Sequence, residues 1–407
     1  MPSRRTVLKL GAAPLFFARA PLMRTAAPHV AVIGAGAFGG WTAWWLARRG
    51  ARVTLLDAWG PGNTRASSGG ETRVIRGSYG DRAIYTKMAA RALRLWQERE
   101  RDWQQRLYFR TGTLWMYGAN DSFARAALPI MKAEGFPAER PSVEAARRRW
   151  PQISFEGINS TLFEPEAGYL LARRACATVV ERARGLGVEY RIAAAAPLAA
   201  SRALDRAPLE GGGGIAADAF VYACGPWLGR LLPDVIGSRI RPTRQEVLYF
   251  GVAPGDVRFE ETSLPVWADF GERLIYGIPG NAHRGFKIAD DTAGPPFDPT
   301  SGDRRNLPEA VDAARAFLRV RFPALSDAPL LGGEVCQYES TPDSHFIVDR
   351  HPSAPNVWIA GGGSGHGFKM GPALGEMLAN LILADGQADP QLRLSRFSPA
   401  PRASSGA

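Results

Sequence analysis

His29-Val30-Ala31-Val32-Ile33-Gly34-Ala35-Gly36-Ala37-Phe38-Gly39-Gly40 is the stretch on which the fold turns. From His29 to Ile33 the run is apolar and rich in β-branched residues, as expected of a strand buried on both faces of a parallel sheet. Trp41–Arg49 is patterned as a helix, and Gly50 supplies a stop signal. Between strand and helix, Gly34, Gly36 and Gly39 fit G-x-G-x-x-G. Glycines there permit a tight turn and let a pyrophosphate approach the backbone, while the helix N-terminus stabilises the anion. A second strand, Ala51–Leu56, ends at Asp57, which follows Gly36 by 21 residues and is placed to accept hydrogen bonds from ribose hydroxyls. Strand, turn, helix, second strand and acid together predict a Rossmann-type dinucleotide-binding domain. A glycine-rich turn in an unrelated α/β domain is the alternative reading.

Two later segments have the same character. Phe220-Val221-Tyr222-Ala223-Cys224-Gly225-Pro226-Trp227 is an apolar strand running into a turn, with Gly225 and Trp227 as candidate cofactor contacts. Gly361-Gly362-Gly363-Ser364-Gly365-His366-Gly367-Phe368-Lys369 follows the predicted strand Asn356–Ala360 and precedes a predicted helix from Pro372 to Leu383. Glycines at 363, 365 and 367 give a flat ring system room to approach the backbone. The helix that follows directs its positive end at any negative charge developing there. His366 and Lys369, embedded among those glycines, are candidate binding residues.

Elsewhere the patterning predicts helix over most of Thr72–Arg106, strands in Tyr108–Tyr117, helices up to Arg149, over Ala172–Leu186 and over Leu307–Val320, and short strands between Arg239 and Ala289. With 407 residues and 45% hydrophobic composition, two joined domains are expected. The net charge of +11 comes almost entirely from arginine; only Lys9, Lys87, Lys132, Lys287 and Lys369 are lysines. The arginines are dispersed along helical stretches and no nucleic-acid-binding motif accompanies them, so nucleic acid is not the expected partner. Three cysteines, Cys176, Cys224 and Cys336, with no C-x-x-C, argue against a disulfide framework or a zinc site. Ser3-Arg4-Arg5-Thr6-Val7-Leu8-Lys9, a modest apolar run from Leu10 to Phe17 and Ala18-Arg19-Ala20 resemble a twin-arginine export signal. That predicts contact with the twin-arginine machinery and a periplasmic or extracytoplasmic location.

Taken together, Gly34–Gly39, Gly70-Glu71-Thr72-Arg73-Val74-Ile75-Arg76, Tyr276-Gly277-Ile278-Pro279, Lys287, Cys336 to Pro352 and Gly365–Lys369 resemble the D-amino-acid-oxidase superfamily. Within it they are most similar to the branch of monomeric sarcosine oxidase and N-methyl-amino-acid oxidase. The resemblance implies a glutathione-reductase-like, Rossmann-type FAD domain interleaved with an α+β substrate domain containing a mixed or antiparallel sheet. Residues 29–107, 172–240 and 342–392 would form the FAD domain, and 108–171 and 241–341 the substrate domain. Residues 1–28 would be signal and linker, and 393–407, rich in Pro, Ser and Ala, a disordered tail.

The resemblance also implies roles. Arg76 and Lys369 match the cations that hold the substrate carboxylate; a guanidinium provides a bidentate fork and an ammonium a point charge. Tyr79 and Tyr276 match residues lining the substrate cavity. Lys287 matches the lysine that promotes reaction with oxygen, and Thr72 and Arg73 lie against the flavin. Cys336 matches the position of a thioether bond to FAD. The sequence departs from the family twice. Asp291 stands where an active-site histidine is expected, which alters the charge of the pocket and favours a substrate with an additional amine. Gly69 replaces a histidine near the flavin. The implied activity is FAD-dependent oxidation, by a monomer, of a secondary or N-methylated amino acid to an imine, with oxygen as acceptor and hydrogen peroxide as product. A dehydrogenase delivering electrons to a quinone or carrier protein and a non-catalytic flavin-binding partner are the rival readings.

Overall fold

The computed structural model describes residues 27–397. The export-signal reading and the last ten residues of the expected tail lie outside the described residues.

The strand His29–Ile33 is at the centre of a six-stranded sheet, flanked in parallel by Arg52–Asp57 and Ala219–Tyr222. Glu189–Ile192 and Ala354–Gly361 extend the sheet in parallel on either side, and Ile347–His351 closes one edge antiparallel. All five residues of His29–Ile33 are buried, as strands covered by helices on both faces require. A seven-stranded mixed sheet draws its strands from two other parts of the chain: Thr113–Tyr117 and Ser160–Glu164, then Arg241–Phe250, Val266–Phe270, Leu274–Ile278, Phe286–Asp290 and Leu330–Ser340. A small antiparallel sheet of Thr72–Ile75, Gly168–Leu171 and Tyr108–Phe109 completes the arrangement. The molecule is thus an α/β protein with one mainly parallel Rossmann-type sheet and one mixed sheet.

The helix Ala37–Arg48 has glycines in its first turn, normally unfavourable, yet packing requires them. A Cβ on Gly39 would lie 1.8 Å from the carbonyl oxygen of Gly34. The facing helix Gly371–Leu383 approaches through its own glycines, since a Cβ on Gly375 would lie 2.7 Å from the Trp41 backbone. Trp41 lies stacked on Trp103 and edge-on to Trp96, and Trp45 donates to Pro372 O at 2.8 Å. Trp96 in turn donates to Lys369 O at 2.9 Å, so this aromatic core fixes the backbone that carries a site lysine.

The structure corrects two sequence expectations. Thr72–Ile75 is a strand, because it pairs with Gly168–Leu171; the helix begins only at Ala83. The tail is ordered at its start: Leu394–Phe397 forms a 3-10 turn packed on the core beside Ile347 and Val357. The Arg396 Nε–Asp343 ion pair at 2.8 Å holds it there.

Candidate active site

An elongated cavity of about 430 Å³ runs from the Gly34–Phe38 turn to Gly361–Phe368, within the roughly 300–1,000 Å³ typical of ligand and cofactor sites. Gly36 caps the first helix without any side-chain bond, and the first turn holds no acidic residue, so its amides are left for an anion. Gly34, at φ +106°, would place a Cβ 2.3 Å from Ala223 O, so only glycine fits this turn. Asp57 lines the cavity and also shapes it, its Oδ2 accepting from Ala35 N at 2.7 Å and its Oδ1 from Gly60 N at 2.8 Å. Gly225 and Trp227 lie on the wall, with Trp227 packed against Trp59 at 4.8 Å between ring centroids. At the other end, added Cβ atoms on Gly363, Gly365 and Gly367 would meet Glu339, Tyr338 and Phe38 at 2.6–2.9 Å. A phosphate-ready helix start joined to a glycine-floored slot fits FAD. The residues that would hold it are Gly34, Gly36 and Asp57 at one end, and Arg73 with the Gly363–Gly367 backbone at the other.

Two of the predicted substrate residues, Arg76 and Lys369, meet at Tyr79. The Arg76 guanidinium lies 4.1 Å above the Tyr79 ring and 5.1 Å from that of Trp115. Lys369 Nζ donates to Tyr79 Oη at 3.1 Å and to His366 O at 2.9 Å. Lys369 is 5% exposed, and burial, reinforced by Arg76, holds its ammonium well below the usual lysine range. Burial pushes the Tyr79 and Tyr276 hydroxyls up to about 12, so both are neutral hydrogen-bond donors. Asp291, just past the strand Phe286–Asp290, accepts from Tyr338 Oη at 2.6 Å.

Lys287 is 1% exposed, on the strand register that pairs it with Ile278 and Tyr249. Its Nζ donates to Thr72 O at 3.0 Å. Burial, and secondly the charge of Arg73, bring its pKa down to about 7. Arg73 donates to Ser67 O at 2.8 Å and to Cys336 Sγ at 3.2 Å.

Of the predicted cofactor contacts, Gly39, Thr72, Cys336, His366 and Lys369 are not on the cavity wall. The His366 imidazole turns away from the cavity, its Nε2 bonding Ser344 O at 3.0 Å and its ring stacking on Phe346; only the backbone glycines around it reach the wall. Thr72 is buried beneath the wall, and its carbonyl anchors both Lys287 and Arg73. The sequence reading missed two residues. Glu164 is fully buried, accepting from Gly77 N at 2.6 Å and Trp115 Nε1 at 2.7 Å, and so fixes the loop after Arg76. Glu339 lines the cofactor cavity, bonded by the Ser67 hydroxyl, with its carboxyl pushed up to about 7 by burial.

A family model described as FAD dependent oxidoreductase matches residues 29–381. Monomeric sarcosine oxidase of Bacillus sp. (strain B-0618) is 30% identical over 366 residues, covering 87% of this chain and 92% of its own. N-methyl-L-tryptophan oxidase of Yersinia pestis (strain Pestoides F) is 27% identical over 380 residues, covering 90% and 97%. Among solved structures, L-proline dehydrogenase from P. horikoshii shares the fold with a TM-score of 0.78, over 91% of this chain and 98% of its own, at 22% identity.

Proposed function

This chain belongs to the FAD dependent oxidoreductase family, and on that premise we propose that it oxidises the carbon–nitrogen bond of a small N-substituted amino acid. Bound FAD supplies the two-electron acceptor, and the resulting imine is released to hydrolysis by water. The observation that carries the reading is the pair Arg76 and Lys369, both at Tyr79, with no carboxylate among the described residues bonded to either. A guanidinium with no carboxylate partner, beside a buried amine whose charged form burial disfavours, gains from a ligand that supplies the anion to both. Arg76 and Lys369 fix the carboxylate, and with it the orientation of the amine-bearing carbon. The relatives named for sarcosine and N-methyl-L-tryptophan support a secondary or N-methylated amine as the reacting group. Anaerobic addition of N-methyl, cyclic and primary amino acids to the holoenzyme tests this. Loss of visible flavin absorbance is expected with an N-methyl or cyclic member, and a panel that bleaches nothing overturns the assignment.

The reading extends to a covalent flavin bond at Cys336, whose sulfur is free, half-buried and held by the cavity-lining Arg73. Gly69 takes no part: a Cβ there would lie 1.9 Å from Asn63 O, so the loop as folded admits no side chain. Acid precipitation is expected to leave the yellow colour with the wild-type polypeptide and to release it to the supernatant from Cys336→Ser. Release from the wild type would refute the bond.

A further inference from the structure

Arg76, Lys369 and Asp291 lie close enough to act on one another's charge, and among the described residues none of them is ion-paired with another. Lys369 bonds only a hydroxyl and a carbonyl, Arg76 a carbonyl of its own loop, and Asp291 the hydroxyl of Tyr338. Arg76 and Asp291 are both only partly buried. A single occupant that satisfies all three carries one carboxylate and one positive charge. A free α-amino acid in its neutral-pH form is such an occupant. Oxidation, however, requires the amine lone pair, so the ammonium proton must first leave.

We propose that Asp291 pairs with the substrate ammonium and takes its proton, so that this enzyme binds the zwitterion and generates the free amine in place. The inference rests on the amino-acid reading of the site. In the step, an N–H bond of the ammonium breaks, its electron pair stays on nitrogen, and an O–H bond forms on Asp291; nothing is oxidised or reduced. The groups around Asp291 suit an acceptor. Tyr338 donates to one carboxylate oxygen, while the charges of Arg76 and Lys369 act on it and favour its charged form. Asp290, next in the chain, opposes it but is held in an ion pair with Arg273, and Tyr276 and Tyr79 are neutral. Burial raises the Asp291 carboxyl above the usual carboxylate range, which moves it toward a proton acceptor. The sheet itself builds the arrangement: Leu330–Ser340 brings Tyr338, and Phe286–Asp290 ends immediately before Asp291.

Two measurements on holoenzyme test this. The first is calorimetric binding of ligand pairs that differ only in charge: betaine against 3,3-dimethylbutanoate, and glycine against propionate. Wild type is expected to prefer the cationic member of each pair by about tenfold or more, and Asp291→Asn to lose that preference while still binding propionate. Equal affinities in wild type would overturn the proposal. The second is the pH dependence of anaerobic flavin reduction, using an amino acid that bleaches the wild type. In Asp291→Asn the acid limb is expected to move up toward the pKa of the free substrate amine. A uniform fall in rate with an unmoved profile would mean a merely structural role and would sink the proposal. If no panel member bleaches the wild type, it is the amino-acid reading that fails, whereas preference in the charge pairs still reports on Asp291 separately.

Discussion

Arg76→Met is expected to weaken substrate binding by about a hundredfold, read as the concentration dependence of anaerobic flavin reduction. Truncating one partner of a secluded, hydrogen-bonded charge pair costs about 2–5 kcal/mol, and each 1.4 kcal/mol is about tenfold in affinity. The lower half of that range applies because Lys369, bonded to the Tyr79 hydroxyl, remains as a second basic group. Methionine keeps much of the volume between Tyr79 and Trp115, so the loss reports the guanidinium rather than a collapsed wall. Arg76→Lys restores charge but not the fork, and should recover only part of the affinity. The limiting rate at saturating substrate should fall as well, since one fixed point no longer sets the tilt of the carboxylate. Unchanged affinity in Arg76→Met would remove the carboxylate clamp, and with it the main support for an amino-acid substrate.

The parts of this site that were legible in the sequence are those written in local backbone chemistry. Gly34, Gly36 and Gly39 announce a turn because no other residue fits it, and Lys369 stands out in a chain with five lysines. What required the structure is non-local. Thr72–Ile75 looked helical beside a long helix, but strand pairing with Gly168–Leu171 overrode propensity, as tertiary context does in sheets. The strand Leu330–Ser340 went unread because Gly332, Gly333 and alternating polar residues hide it; its partner Arg241–Phe250 supplies the order. Glu164 is a residue type seldom fully buried, and only the convergence of the Gly77 and Ser78 amides with the Trp115 indole explains it. His366 misled in the opposite direction. A histidine among glycines suggests a cofactor contact, yet Phe346 and Tyr85 offered its ring an aromatic nest on the far side. Asp291 was noticed as a departure, but its bond to Tyr338, 47 residues later, follows only from the order of strands in the sheet.

Lys287→Met should separate the two halves of turnover. Anaerobic bleaching by substrate is expected to stay within a few-fold of wild type, because Lys287 bonds Thr72 and lies outside the Arg76–Lys369 clamp. Recovery of the yellow colour on mixing the bleached holoenzyme with air-saturated buffer is expected to slow by about 10²–10³-fold, the usual cost of deleting one preorganised group that stabilises developing charge. Negative charge accumulates on oxygen as it is reduced, and the Lys287 ammonium is the cation we assign to meet it. The pH dependence gives this claim its sign. Only the protonated lysine carries the charge, and burial with Arg73 has brought its pKa from 10.5 to about 7. Recovery should therefore be fastest below pH 7 and decline as the pH rises through about 7, whereas a solvated lysine would keep its charge to beyond pH 10. Lys287→Met should be slow and nearly flat across that window. Slow recovery in wild type, unaltered by the substitution and accelerated by an added quinone, would overturn oxygen as acceptor and leave the reaction on substrate intact.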